Sequence, residues 1–155
     1  MIFLLTRISA VLVLTNISFY KLAGDQTTGF SLICQLVKKS LALGQQVLCL
    51  VPDDNAVKLL DSHIWRLQSS SFIPHGIGNK SAPVAISCDS DPGDHHQILI
   101  NLQHSIPTWF SRFDRVIEII YQDDDYEQAK RENFLFYKQR GYALSYHDLS
   151  EKFSG

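Results

Sequence analysis

GQQVLCLVPDD, residues 44–54, carries the clearest structural signal in the chain. Within it, the run from Gln46 to Val51 is apolar at every position after Gln46, which is typical of a strand covered on both faces. Pro52 then ends the strand, and Asp53 and Asp54 offer an acidic N-cap for a helix over residues 55–66. A doubly covered strand followed at once by a helix predicts parallel βαβ units.

Strand-like and helix-like segments alternate on both sides of that unit. Before it, 18–22 predicts a short strand and 28–43 predicts a helix with Gly44 as its C-terminal cap. After it, the predicted elements are extended pieces at 72–75, 83–88, 98–102 and 115–121, a helical turn at 106–113 opened by Pro107, and a last helix from Asp123 to Arg140 ended by Gly141. The sequence therefore predicts an α/β fold, a single domain with a mostly parallel central sheet flanked by helices.

The composition limits the classes of function. The chain has 155 residues, 45% of them hydrophobic, which is enough for one domain with a substantial core. Fourteen basic and sixteen acidic residues give a formal net charge of −2, which excludes a uniformly basic nucleic-acid binder and predicts no direct sequence-specific DNA binding. The widely spaced Cys34, Cys49 and Cys88 suit a reducing compartment such as the cytoplasm, and we expect all three in the core.

The first sixteen residues differ from the rest of the chain in composition. Residues 2–14 are almost wholly apolar, interrupted only by Arg7, but they are too few to span a bilayer. No A-x-A-like cleavage site follows them, so a secretory signal is also disfavoured. We interpret 1–16 as an accessory extension or a start assigned too far upstream, and we place the domain at 17–155, with no membrane attachment.

The two common nucleotide-binding motifs are incomplete in this sequence. The segment 76–81 begins as G-x-G but lacks the third glycine of a dinucleotide-binding fingerprint. A P-loop at 74–81 fails because Pro74 and Asn79 replace both required glycines, so the backbone cannot wrap a phosphate there. We therefore expect no phosphate loop and no cofactor.

Motifs for metal binding and nucleophilic catalysis are equally weak. Asp89, Asp91, Asp94, His95 and His96 are metal-ligating residue types, but the Pro-Gly turn among them favours a solvated loop, and we predict no metal site. A G-x-S-x-G elbow is absent from the sequence, so no catalytic residue is predicted. A nucleotide-dependent enzyme that uses the α/β crevice stays open as the alternative.

The last helix, YEQAKRENFLFYKQRGY at 126–142, is the richest in binding chemistry. Lys130, Phe134 and Lys138 form an i, i+4, i+8 row, with Arg131 beside it and Tyr137 nearby. Cations around an aromatic surface suit an acidic peptide with an apolar anchor, because Arg can hold a carboxylate in a fork. The alternative is that the aromatic residues belong to the core and the basic residues to a solvated face.

An ordered set of short motifs resembles the chi subunit family, the accessory clamp-loader subunits of bacterial DNA polymerase III. LLDSHIW with FIPH is the most distinctive pair. The full set is FYKL (19–22), GQQVLCLVPDD (44–54), LLDSHIW (59–65), FIPH (72–75), APVAI (82–86), ILINL (98–102), FDRVIEII (113–120) and RENFLFYKQRGYALSYHDL (131–149). The resemblance spans nearly all of 17–149 in the family's order.

The resemblance implies a non-catalytic bridging protein of DNA replication, with a nucleotide-binding-like topology without a phosphate loop. Chi-like proteins bind the acidic, Phe-ended C-terminal tail of single-stranded DNA-binding protein, and they bind the psi subunit of the polymerase. A DNA-repair helicase in place of psi is the alternative partner. In the family's tail pocket, Arg131 matches the key arginine, Phe134 an aromatic position and Ile120 an apolar wall position.

The expected tail site combines these matches with the helix pattern. Arg131 is expected to pair with the terminal carboxylate, Lys130 and Lys138 to attract acidic residues, and Ile120, Phe134 and Tyr137 to hold the terminal Phe. The chain departs from the family's pattern at Glu127, where a lysine can be found, and at Leu135, which replaces another basic residue.

Overall fold

A computed structural model describes residues 14–67, 74–78 and 82–153. Within them the chain forms strands β1 (Asn16–Lys21), β2 (Val47–Leu50), β3 (His75–Ile77), β4 (Val84–Ser87), β5 (Ile98–Asn101), β6 (Arg115–Ile120) and β7 (Ala143–Asp148), and helices α1 (Gln26–Ala42), α2 (Asp54–Leu67) and α3 (Asp124–Gln139). The alternating pattern of the sequence is confirmed.

All strand pairings in the described residues are parallel, and they form one open seven-stranded sheet in the order β3-β4-β2-β5-β6-β1-β7. The N-terminal strand β1 lies between the two last strands of the chain. Its last residue, Lys21, is in register with Ile120 of β6 and Asp148 of β7. The predicted α/β class with a mostly parallel sheet is confirmed, and the carboxyl ends of β1, β6 and β7 meet at one end of the sheet.

The helix ends follow the capping signals of the sequence. Asp25 caps α1 by accepting from the backbone N–H of Thr27 and Thr28, and Asp123 caps α3 by accepting from that of Tyr126. Gly44 follows α1 with a φ of 73°, a backbone conformation that glycine adopts without the strain of a side chain. The Asp123 cap fixes where α3 starts, directly beyond the carboxyl end of β6.

Helices cover the sheet unequally on its two faces. On one face α1 and α2 pack against side chains such as Val47, Cys49 and Ile100. On the other face, the 3₁₀ turn at Phe110–Arg112 and α3 pack against side chains such as Leu48, Leu99 and Val116. Strand β7 is largely exposed, so the second face is incompletely covered at the β7 edge.

Some elements differ from prediction. β1 begins at Asn16, two residues before the predicted start, and the turn predicted over 106–113 shortens to the three 3₁₀ residues. Cys34 and Cys49 are buried as expected, but Cys88 is half-buried, with its Sγ 3.2 Å from Asp54 Oδ1. Cys88 packs against the edge of the core and is not enclosed within it, because it follows the end of β4.

The N-terminal part of the chain is described only from Leu14. Thr15 is buried, and its hydroxyl donates to the carbonyl of Phe113 at 2.6 Å. The other residues of the extension, 1–13, lie outside the described residues, as do 72 and 73 of the predicted extended piece. Among the described residues, no helix is long and apolar enough to cross a membrane.

Candidate functional site

A groove of about 310 Å³ lies between α3 and the strands β1, β6 and β7; we call it the α3 groove. The strands contribute Phe19, Lys21, Ile120 and Tyr146, and the helix contributes Glu127, Lys130, Arg131, Phe134 and Leu135. The groove exists because α3 leaves this part of the sheet face partly uncovered. It is open to solvent, with Leu135 and Tyr146 exposed by 53% and 50%.

Three aromatic rings build the apolar part of the α3 groove. Phe134 meets Phe19 edge to face at a centroid distance of 5.3 Å, and Tyr146 stands edge to face with Phe134 at 6.1 Å. Phe19 is fully buried beneath them, whereas Phe134 is half-buried and Tyr146 is exposed. An aromatic or aliphatic side chain of a ligand can therefore pack on a surface that is already ordered.

The exposed cation of the helical wall is Arg131. Its guanidinium donates to Gln128 Oε1 at 3.1 Å, which leaves most of its N–H donors facing solvent. Glu127, half-buried one turn earlier on the same helix face, also lines the groove. An incoming carboxylate thus meets one guanidinium and one opposing carboxylate on α3.

The structure removes Lys130 from the expected set of free cations. Its side chain is fully buried, and its ammonium group lies 2.6 Å from the equally buried Glu118 Oε1. The same group donates to the carbonyls of Gln103 at 2.7 Å and Asn101 at 3.2 Å, so all three N–H donors are used. Lys130 borders the groove but cannot offer its charge to a ligand.

Burial and the ion pair act in opposite directions on the Lys130 ammonium. Burial lowers the pKa of Lys130, and the adjacent Glu118 carboxylate raises it in partial compensation. Glu118 in turn accepts from the hydroxyl of Tyr137 at 2.7 Å and from the amide of Asn101 at 3.2 Å. These four side chains form the Glu118 network, a satisfied polar cluster beneath α3.

Tyr137 is likewise not placed for a terminal Phe. It is fully buried, and burial, together with the Glu118 carboxylate, raises its pKa far above the ordinary value. It packs under Phe19 at a centroid distance of 6.0 Å and is not among the residues that line the α3 groove. The helical spacing that placed Tyr137 near the binding row instead turns it towards the sheet.

The two remaining cations of α3 lie elsewhere. Lys138 is exposed but does not line the α3 groove. Arg140, the C-cap residue directly after α3, stacks over Phe136, with its Cζ 3.7 Å from the ring centroid. Of the predicted residues, the structure therefore brings Arg131, Phe134 and Ile120 together at the groove wall, with Lys130 below. Lys138 and Tyr137 are separated from it.

Lys21 is the cation that sequence reasoning missed. It ends β1, where Ile17 and Phe19 point to the α3 face, so strand alternation places Lys21 on that same face. It lines the groove and is half-buried. The signal was present in FYKL, because a lysine two residues beyond a core phenylalanine shares its side of the strand.

The aspartates of the loop at 89–94 bind the backbone of that loop. The Asp89 carboxylate accepts from the backbone N–H of Asp91, and the Asp91 carboxylate accepts from that of Gly93. These are local Asx turns that satisfy the loop backbone. Within the described ranges, no group of three or more His, Cys, Asp or Glu side chains could hold a metal ion.

A second exposed apolar surface lies at the other edge of the sheet. Trp65 near the end of α2 and Ile77 of β3 are exposed by 53% and 52%. The Trp65 ring contacts the His75 ring at a centroid distance of 5.1 Å, and His75 is held by Asp61 at 2.9 Å. Because β3 and β7 are opposite edges, this Trp65 patch and the α3 groove are well separated.

Comparison with known proteins agrees with the resemblance. The family described as "DNA polymerase III chi subunit, HolC" matches residues 14–145. A DNA polymerase III subunit chi from Pseudomonas aeruginosa is 32% identical over 88% of this chain and 98% of its own length. The protein of the same name from Escherichia coli K12 is 28% identical, over 84% of this chain and 95% of its own length.

Proposed function

The chain belongs to the DNA polymerase III chi subunit family, and we propose that it is a non-catalytic adaptor of bacterial DNA replication. In this proposal the α3 groove binds the acidic, Phe-ended C-terminal tail of single-stranded DNA-binding protein, and another surface binds the psi subunit. The observation that carries the proposal is an ordered aromatic surface directly beside one available guanidinium, Arg131.

Groove and tail match in chemistry. The tail offers an aromatic side chain and a carboxylate on the same terminal residue, and the groove offers Phe134 and Tyr146 next to Arg131. Arg can hold a carboxylate through two parallel N–H donors, whereas the aromatic rings remove the terminal side chain from water. A terminal Phe satisfies both halves of the site at once.

The α3 groove is also suited to a short peptide rather than to nucleic acid. Its cations are Arg131 and Lys21, since Lys130 is paired with Glu118, and Glu127 adds a negative charge. Phosphate backbones are held by several cations in succession, which this surface lacks in its described residues. Electrostatic attraction to an acidic tail should fall as the salt concentration rises.

Isothermal titration with the tail peptide tests the tail-binding half. We expect binding by the intact peptide and a large loss when the terminal Phe is deleted. Arg131→Ala should weaken binding by about 1–3 kcal/mol, the range for a lost hydrogen bond to a charged group. Lys138→Ala is the matched control, because Lys138 lies on the same helix but outside the groove. Equal losses for both variants would contradict the proposed site.

The bridging half needs a second surface, and the Trp65 patch is the one we propose for psi. It is apolar, exposed and at the opposite sheet edge, so psi bound there leaves the α3 groove open. Size-exclusion chromatography of this chain with psi and a fluorescent tail peptide tests the arrangement. Bridging requires one peak that contains all three components, whereas displacement of the peptide by psi would contradict it.

A further inference from the structure

The α3 groove is polarised along its length. Helix α3 connects β6 to the parallel strand β7, so it runs antiparallel to the strands beneath it. Glu127 in the early part of α3 therefore lies towards the carboxyl ends of the strands, where Lys21 and Ile120 are. Phe134 and Leu135 lie further along the helix, beside Phe19 and Tyr146 in the strands. One end of the groove is charged and the other is aromatic.

Arg131 stands between these two ends. It follows Glu127 by one turn and precedes Phe134 and Leu135 by a turn. A terminal carboxylate on Arg131 leaves the terminal side chain to enter the aromatic end. The charged end then lies free for the preceding residues of the peptide.

Lys21 is the cation at that charged end. It comes from the sheet, not from the helix, and its position in β1 is fixed by pairing with both β6 and β7. Two carboxylates are near it: Glu127 across the groove and Asp148, its register neighbour on β7. The Asp148 carboxylate also accepts from the backbone N–H and the hydroxyl of Ser150, at 2.9 and 2.5 Å. Lys21 also helps to lower the pKa of the exposed Asp148 carboxylate, but the two groups form no close ion pair among the described residues. The Lys21 ammonium therefore keeps N–H donors for a further anion.

We propose that Lys21 binds the acidic residues that precede the terminal Phe of the tail, and so sets the direction in which the peptide lies in the α3 groove. This rests on the proposed tail-binding function and deepens it. Arg131 recognises the end of the peptide, whereas Lys21 distinguishes an acidic tail from any other chain that ends in Phe. Specificity is thus divided between the helix and the sheet.

Two peptides separate these contributions. One carries the natural acidic tail, and the other has its acidic side chains replaced by Asn or Gln and keeps the terminal Phe and carboxylate. Each is titrated against wild type, Lys21→Gln and Lys21→Arg at low ionic strength, where exposed ion pairs are least screened. Lys58→Gln is the matched control, because Lys58 is an exposed lysine on α2, on the opposite face of the sheet.

We expect Lys21→Gln to weaken binding of the acidic peptide about two- to fivefold, the effect of a surface ion pair, and to leave binding of the neutral peptide unchanged. Lys21→Arg should restore most of the affinity, and Lys58→Gln should alter neither titration. Equal weakening of both peptides by Lys21→Gln, or no weakening of either, would overturn the assignment of Lys21.

Failure of the inference differs from failure of the proposed function. If wild type binds the acidic peptide and Arg131→Ala weakens it while Lys21→Gln does not, only the role of Lys21 is lost. If wild type binds neither peptide, tail recognition itself is wrong and the role of Lys21 falls with it. Thermal melts of each variant show whether a loss reflects unfolding instead of a lost contact.

Discussion

The two faces of the sheet bury their surface in different ways. Beneath α1 and α2 the contacts are almost entirely apolar, with side chains such as Ile33, Leu60 and Ile86 fully buried. Beneath α3 the sheet carries Glu118, which is equally buried but paired with Lys130. The first face is closed by two helices; the second is closed by one helix and a short turn, and it leaves the α3 groove at the β7 edge.

The difference shows how a stable fold can leave a groove open on one face. An apolar layer tolerates many arrangements that fill the same volume, whereas a buried ion pair accepts one geometry. Lys130 of the Glu118 network also ties α3 to the end of β5 through the carbonyl of Asn101, and to the following loop through the carbonyl of Gln103. We interpret it as the anchor that holds α3 in place while half of the groove wall faces water.

The largest expected effect comes from breaking that anchor. Lys130→Met leaves the Glu118 carboxylate buried without its counter-ion, and should lower the free energy of unfolding by about 3–5 kcal/mol. Urea denaturation of the variant and wild type measures the loss. The double variant Lys130→Met with Glu118→Gln removes both charges and should be more stable than Lys130→Met alone. A double variant less stable than the single one would contradict the anchor interpretation.

A smaller effect should appear at the open end of the same face. Glu127 lines the α3 groove and opposes an acidic ligand, so Glu127→Gln should strengthen tail-peptide binding by about 0.2–1 kcal/mol. The gain should shrink at high salt because the repulsion is screened. Titration at two salt concentrations measures it, with Glu132→Gln as the control on the far side of α3. Weaker binding by Glu127→Gln would mean that Glu127 contacts the peptide favourably.

The smallest effect concerns the apolar face. His63 on α2 is buried against Ser31 at 2.9 Å, and burial, with a further contribution from Arg66, lowers its pKa. Protonation is therefore easier in the unfolded chain, so the stability contributed by neutral His63 is present above pH 6.5 and declines as the pH falls below it. Denaturation of wild type and His63→Gln at pH 7.5 and 5.5 measures the slope. An equal slope in both proteins would exclude His63 as its source.

Much of the fold was predictable because local signals agreed with the tertiary structure. The apolar run at 46–51 indicates a buried strand, and the aspartates before α1 and α3 indicate the N-terminal caps of those helices. Strand β7 was missed because its residues, ALSYHD, are nearly all exposed and carry no apolar run. It forms because β1 offers a free edge beside it, which is a property of the assembled sheet and not of the segment.

The site was predictable only where helix spacing alone decides exposure. Lys130 and Arg131 are adjacent cations, yet one is fully buried and the other exposed. What separates them is Glu118 on the neighbouring strand, and no spacing within α3 reveals it. A signal did exist in RVIEIIY, since a glutamate inside a doubly covered strand needs a cation, and the facing helix is the place to look for one.

The position of β1 also has a consequence for synthesis on the ribosome. Strand β1, the first strand of the described residues, is inserted between β6 and β7, so its pairing partners lie about a hundred residues or more downstream. Strand β1, which carries Phe19 and Lys21, is synthesised early and lacks its pairing strands until residues 115–148 have been synthesised. A nascent or truncated chain therefore displays an unprotected strand and has no groove. The α3 groove can therefore form only after residue 148 has been synthesised, because until then β1 lacks β7 as its neighbour.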